Sequence, residues 1–174
     1  MSKHIGRFLI LSQVIIVAGC NRNPYVPLPP LPIPSSLDAM SPQDIRESSK
    51  PVSASCSIDM IDQTFFKGHP IRLMDKDFVV SGWVLPETTH EVVKSAELRF
   101  TREDQTAGWQ VEINHWISRE DVLKAMKAEG AGDVGFAKYV DVSHLSSGNY
   151  RLSLAFASGG VNYTCDHHEM VALP

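Results

Sequence analysis

The sequence predicts a mainly β domain over residues 56–174, an antiparallel β-sandwich interrupted by one short helix. Three observations predict it. Ala96, Leu98 and Phe100 alternate with Glu97, Arg99 and Thr101, while Trp109, Val111 and Ile113 alternate with Gln110, Glu112 and Asn114. That two-residue period belongs to strands with one face buried and one solvated. Turn signals recur at short spacing between such runs, and only one segment carries helical spacing, which together suit two packed sheets.

Taken in order, Ser57 to Asp62 carries apolar residues at 58, 60 and 61, and Lys67-Gly68-His69-Pro70 reads as a turn. Phe78 to Val84 is rich in β formers and ends before Pro86. After the two alternating strands, Ser118 can cap a helix of about three turns, with Asp121 in the capping-box position and Val122, Leu123 and Met126 as its apolar stripe. Gly130 and Gly132 stop it, and one apolar side suits a place across a sheet end or edge. Phe136 to Val142 is a further strand. In Tyr150 to Ala157, Tyr150, Leu152, Leu154 and Phe156 point one way, and Arg151 and Ser153 the other. Ser158-Gly159-Gly160 turns the chain into a last strand from Val161 to Cys165. Gly82-Trp83 and Gly108-Trp109 mark places where a neighbouring chain comes close.

The N-terminal part has another character. Lys3 and Arg7 precede an apolar segment from Phe8 to Ala18, too short for a permanent membrane span and arranged like a secretory signal over residues 1–19. Residues 20–55 read as a linker. Pro24, Pro27, Pro29, Pro30, Pro32, Pro34, Pro42 and Pro51 fall there, eight of the chain's eleven prolines, and the dense run to Pro34 favours a semi-rigid polyproline II spacer. Ser35 to Ser55 reads as flexible, with room for a short helix capped at Ser41 and running through Arg46. A Pro-rich run can also serve as a ligand for an aromatic groove.

Within the signal, Val17-Ala18-Gly19-Cys20 resembles the bacterial lipobox. The resemblance implies that the Cys20 sulfur carries diacylglycerol, that the preceding peptide is removed, and that the new amino terminus is acylated, with chains such as palmitate. Two or three chains at ~0.8 kcal/mol per buried methylene make a stable anchor, where one holds only marginally. The chain is then a cell-envelope lipoprotein held to the membrane. Asn21 after the lipidated Cys, rather than the Asp known for inner-membrane retention, favours the outer membrane. Export to an oxidising compartment leaves Cys56 and Cys165 as an even pair, expected to form a disulfide across the folded region.

A second resemblance lies in Leu145-Ser146-Ser147-Gly148-Asn149-Tyr150, which looks like the tyrosine corner of immunoglobulin-like and fibronectin-like sandwiches. It implies that the Tyr150 hydroxyl reaches back to backbone just upstream. No Cys follows two residues after Tyr150, so a generic immunoglobulin-like module fits better than an antibody domain. Ser81-Gly82-Trp83, Arg119-x-Asp121-Val122 and Gly135-Phe136 add a looser likeness to accessory domains of bacterial cell-surface and polysaccharide-related proteins.

Motifs for chemistry are sparse. His167 and His168, flanked by Asp166 and Glu169, have the residue types of a metal site, but neighbours on a strand face opposite sides, so no metal is assigned. No HExxH, CxxC, GxSxG or glycine-rich phosphate loop occurs, and Ser143-His144 is an adjacent pair rather than a triad. Asp59, Asp62, Glu103 and Asp104 show no sign of burial, so no catalytic residue and no cofactor are expected. A net charge of −4 and a pI of 5.9 give no electrostatic case for nucleic acid. The leading expectation is a non-catalytic accessory module that engages a protein partner in an envelope assembly. A carbohydrate binder using Trp83, Trp109, His115 and Trp116 is the alternative, followed by a hydrolase with a dispersed site. An unpaired strand edge would favour a protein partner, and exposed tryptophans beside a groove would favour sugar.

Overall fold

Short alternating segments need partners on both sides before their backbone groups are satisfied, and the chain supplies them as two facing sheets. The computed structural model describes residues 33–47, 55–86, 93–128, 132–166 and 168–174. In chain order the elements are β1 (Ser35–Ser36), β2 (Asp38–Ala39), α1 (Pro42–Glu47), β3 (Ser55–Ile61), β4 (Thr64–Phe65), β5 (Ile71–Arg72) and β6 (Asp77–Leu85). There follow β7 (Ala96–Arg102), β8 (Gly108–Ile113), α2 (Glu120–Ala125), β9 (Gly135–Asp141), β10 (Gly148–Ser158), β11 (Val161–Cys165) and β12 (Met170–Leu173).

One sheet runs β1-β9-β6-β3-β4 and the other β2-β8-β7-β10-β12-β5, with β11 paired to β10 beside β12. The predicted sandwich is therefore observed. Its long ladders are antiparallel, but β1 pairs β9 and β12 pairs β5 in parallel over two residues each. Between the sheets lies one core, built from the residues whose alternation predicted it: Leu98, Phe100, Val111, Ile113, Tyr150, Leu152 and Leu154 on one side, and Ile58, Phe78, Val80, Val84, Phe136 and Val140 on the other. Each such side chain contributes ~1.5–3 kcal/mol by leaving water.

In β3 the apolar residues do not alternate evenly, and a bulge explains why. Ile58 pairs Gly82 and Met60 pairs Ser81, so Asp59 is the extra residue. The inserted residue shifts the phase by one, and Cys56, Ile58 and Ile61 all end up buried. Gly82 is required opposite it: an added Cβ would stand 2.1 Å from the Ser57 carbonyl oxygen.

α1 is the short helix that the sequence allows from Ser41, and α2 is the one expected within the sandwich. Several expectations are corrected. α2 spans six residues rather than three turns, and Arg119 rather than Ser118 occupies its N-cap position, without a side-chain cap. It closes before Gly130 is reached. Lys127 takes a left-handed conformation, its N–H donates to the Lys124 carbonyl, and the Ala128 N–H donates to Leu123. This is a Schellman ending, with Ala128 and Leu123 sharing a small apolar cluster around Leu85, Val122 and Val134. That cluster and Trp83 hold α2 on the outward residues of β6. β12 was not anticipated; it pairs the start of β10.

The largest departure lies ahead of Cys56. Residues expected to be linker form a strap that joins both sheets. β1 adds to β9, β2 adds antiparallel to β8, and Leu37 between them is buried in the main core. Met40 and then Ile45 of α1 pack against Gly108 on the outward face of β8. Its start is the predicted one: the Asp44 N–H donates to Ser41 Oγ, while the Ser41 N–H and hydroxyl donate to the Asp44 carboxylate.

Candidate functional site

The hairpin β10–β11 is closed by Gly159 and Gly160, with φ of 57° and 77°, the left-handed pair that a two-residue turn demands and that glycine adopts without strain. Its register pairs Ser158 with Val161, Phe156 with Tyr163 and Leu154 with Cys165. Two consequences follow. Val161, Tyr163 and Cys165 lie on the inward face with Phe156, and Asn162 and Thr164 lie on the outward face with Ala155 and Ala157. In such a hairpin the backbone groups of Asn162 and Thr164 point away from β10.

Nothing pairs with that outer edge among the described residues. Tyr163 stacks on Phe156 with ring centroids 5.3 Å apart and planes inclined by 16°, and Val161 is 47% exposed beyond the core. Cys165 is bonded to Cys56 on β3, with 6.1 Å between the Cα atoms. The predicted disulfide thus crosses from one sheet to the other. It anchors a strand that its own sheet holds on one side only.

Behind β11, on the outward face, lies an open groove of about 620 Å3 floored by Ala155 and Ala157 and bordered by Glu97, Arg99 and Asp44. Arg99 donates to Glu97 through Nε at 3.1 Å and Nη2 at 2.6 Å, and Gln110 Nε2 donates to the same carboxylate at 3.4 Å. The Ser41 hydroxyl, with a smaller contribution from the Arg99 charge, holds the Asp44 carboxyl below the usual carboxylate range. The groove is therefore lined by groups that already satisfy one another.

The other residues singled out in the sequence are dispersed. Trp83 packs on α2, Trp109 meets Tyr150 edge-on at 5.9 Å, and Trp116 meets Phe136 edge-on at 6.4 Å while its indole N–H donates to the Lys94 carbonyl. All three are half-buried and contribute to packing, and they do not assemble into one platform. His115, His144 and His168 are exposed and lie apart on different loops. Each carboxylate considered for chemistry has a structural partner: Asp59 takes Arg119, Asp62 accepts from the Val79 N–H, Glu103 accepts from Asn149, and Asp104 accepts from Thr106. Those Thr106 bonds lower the Asp104 pKa. Asp166 accepts from the His168 N–H and pairs with Arg151 at 3.4 Å. Among the described residues no group of three metal-ligating side chains converges. His167, Cys20, the rest of Val17–Cys20 and the Pro-rich run through Pro32 lie outside the described residues.

Comparison with family models, curated proteins and solved structures finds no match to the chain.

The edge of β11 was legible only by half. Two glycines followed by uncharged β formers announce a hairpin, but a period of two reports a strand's faces and says nothing of its neighbours. No helix among the described residues is long and apolar enough to cross a membrane.

Proposed function

We propose that this chain is a cell-envelope lipoprotein, anchored through lipid on Cys20, whose immunoglobulin-like sandwich is a non-catalytic module that engages a protein partner in an envelope assembly. The outer membrane is the favoured site, given Asn21. One observation carries the protein-binding part. Among the described residues the strands that end the sheets, β1 and β4 in one and β2 and β5 in the other, are two residues long, while β11 presents a five-residue edge of uncharged residues with no partner strand. Natural sheets shorten or guard their edges because an unpaired row of N–H and C=O groups accepts another strand. The immunoglobulin-like reading is supported by the bond from the Tyr150 hydroxyl back to the Ser146 carbonyl at 2.8 Å.

The test has two parts. Cys20→Ser moves the protein from the membrane to the soluble fraction. Thr164→Pro, which removes an outward N–H from β11, abolishes recovery of a crosslinked protein partner from intact cells. Unchanged membrane retention of the Cys20 variant sinks the anchor, and capture of glycan alone sinks the protein-binding role.

A further inference from the structure

We infer that the partner at β11 is a second copy of this chain: two β11 strands pair antiparallel about a two-fold axis at Tyr163 and join two sheets into one. This rests on the reading of β11 as a protein-binding edge and names its occupant.

The register of β11 is self-complementary. Pairing about Tyr163 sets Asn162 against the partner's Thr164, Thr164 against the partner's Asn162, and Val161 against the partner's Cys165. Asn162 and Thr164 are the two residues whose backbone groups face outward, so the two-fold places outward groups opposite outward groups. Each of these pairs exchanges two backbone hydrogen bonds. Tyr163 then meets the partner's Tyr163 at the position between the bonded pairs, where side chains approach most closely. Its ring is already fixed by stacking on Phe156, so pairing extends an existing aromatic stack across the axis.

Charge agrees with this register. From Val161 to Cys165 there is no charged residue and no proline, and Asp166, the nearest charge, falls opposite Gly160 of the copy. No like charges meet. Among the described residues the other open stretches carry a guard: β8 beyond β2 has the exposed Glu112, β9 beyond β1 has Lys138 on the inward face beside Phe136 and Val140, and β3 beyond β4 has the bulge at Asp59. β11 carries no charge, proline or bulge of that kind, and the Cys56–Cys165 bond holds it in place before any partner arrives.

A ladder of five residues covers less than the ~1,200–2,000 Å2 of a free-standing stable interface, so the pairing is weak in solution. Copies anchored in one membrane meet at a raised effective concentration, which suits a weak and specific contact.

The test uses the full lipidated protein in intact cells, with the photoreactive residue p-benzoylphenylalanine replacing Val161. Irradiation is expected to give an adduct of twice the chain's mass, and none when the same residue replaces Glu112. Asn162→Glu with Thr164→Glu sets like charges opposite each other twice and lowers the adduct at least about tenfold. Asn162→Lys with Thr164→Glu sets opposite charges in the same places and restores it. Resistance of the head to limited proteolysis in each variant, equal to that of the natural chain, shows that it is folded. An adduct with a different protein overturns the second-copy inference and leaves the protein-binding role standing. An adduct with glycan alone overturns both. Absence of any adduct, or equal adduct from both double variants, overturns the register.

Discussion

Arg119 joins two parts of the chain sixty residues apart: its Nη1 donates to Asp59 Oδ2 at 2.8 Å while Nε and Nη2 grip both oxygens of Asp121 at 2.8 Å. Asp59 is available for this because it is the extra residue of the β3 bulge, turned out of the ladder. Arg119 also lies across Gly135, where an added Cβ would stand 2.4 Å from its Cγ. The guanidinium fork therefore fastens α2 to the sheet that carries β3. Arg119→Ala is expected to destabilise the fold by about 1–3 kcal/mol, the range for charge-assisted bonds in a partly buried setting. Arg119→Lys recovers little, since an ammonium cannot grip two carboxylates through a planar fork. Urea unfolding midpoints measure both, and a Lys variant equal to the natural chain counts against the fork.

The same cluster sets a pH dependence. Bonding from Arg119, opposed by a smaller desolvation effect, lowers the Asp121 pKa from 3.8 to about 2. Because the folded value is the lower one, the contribution is complete above pH 3.8 and disappears as pH falls toward 2. The thermal unfolding midpoint should fall more steeply between pH 4 and 2 in the natural chain than in Asp121→Asn. Parallel curves would show that Asp121 contributes nothing to acid stability.

The bond between Cys56 and Cys165 closes a span of 109 residues and ties β3 to the open-edged β11. Chain entropy alone assigns a loop near that length up to about 4.7 kcal/mol, and measured losses for native bridges are usually about 2–5. Cys56→Ser, Cys165→Ser and the double variant should therefore lose a similar 2–4 kcal/mol, because one bond is removed in each case. Hydrogen exchange should locate the first loss of protection at β11. If β10 and β7 open as early as β11, the bridge is not what holds that strand.

Faces were easier to read from the sequence than neighbours. Tyr150, Leu152, Leu154 and Phe156 were placed on one side by their period, and all are buried there. The Tyr150 hydroxyl bond was legible because its acceptor is only four residues upstream. Ser118 misled because Arg119, committed to two carboxylates, takes the N-cap position. The strap was illegible for a different reason. Leu37, Met40 and Ile45 sit singly in a Ser- and Pro-rich stretch, and their burial depends on β8 and β9, which follow about 70 and 100 residues later in the chain.

That strap can be tested by separating its two attachments. Leu37 fills space between the sheets, so Leu37→Ala should cost about 2–4 kcal/mol of global stability, as other buried leucines do. Gly108 lies under the second attachment, and an added Cβ would stand 2.9 Å from Met40 Sδ and 3.1 Å from Ile45 Cγ1. Met40 can swing aside, but Ile45 is β-branched and clears the added Cβ only if α1 moves, so Gly108→Ala should lift α1 while costing the sandwich only about 1 kcal/mol. Limited proteolysis should then cut residues 41–47 faster in Gly108→Ala than in the natural chain, with the urea midpoint nearly unchanged. Equal cutting rates in both variants and the natural chain would mean that residues 41–47 are not docked on β8.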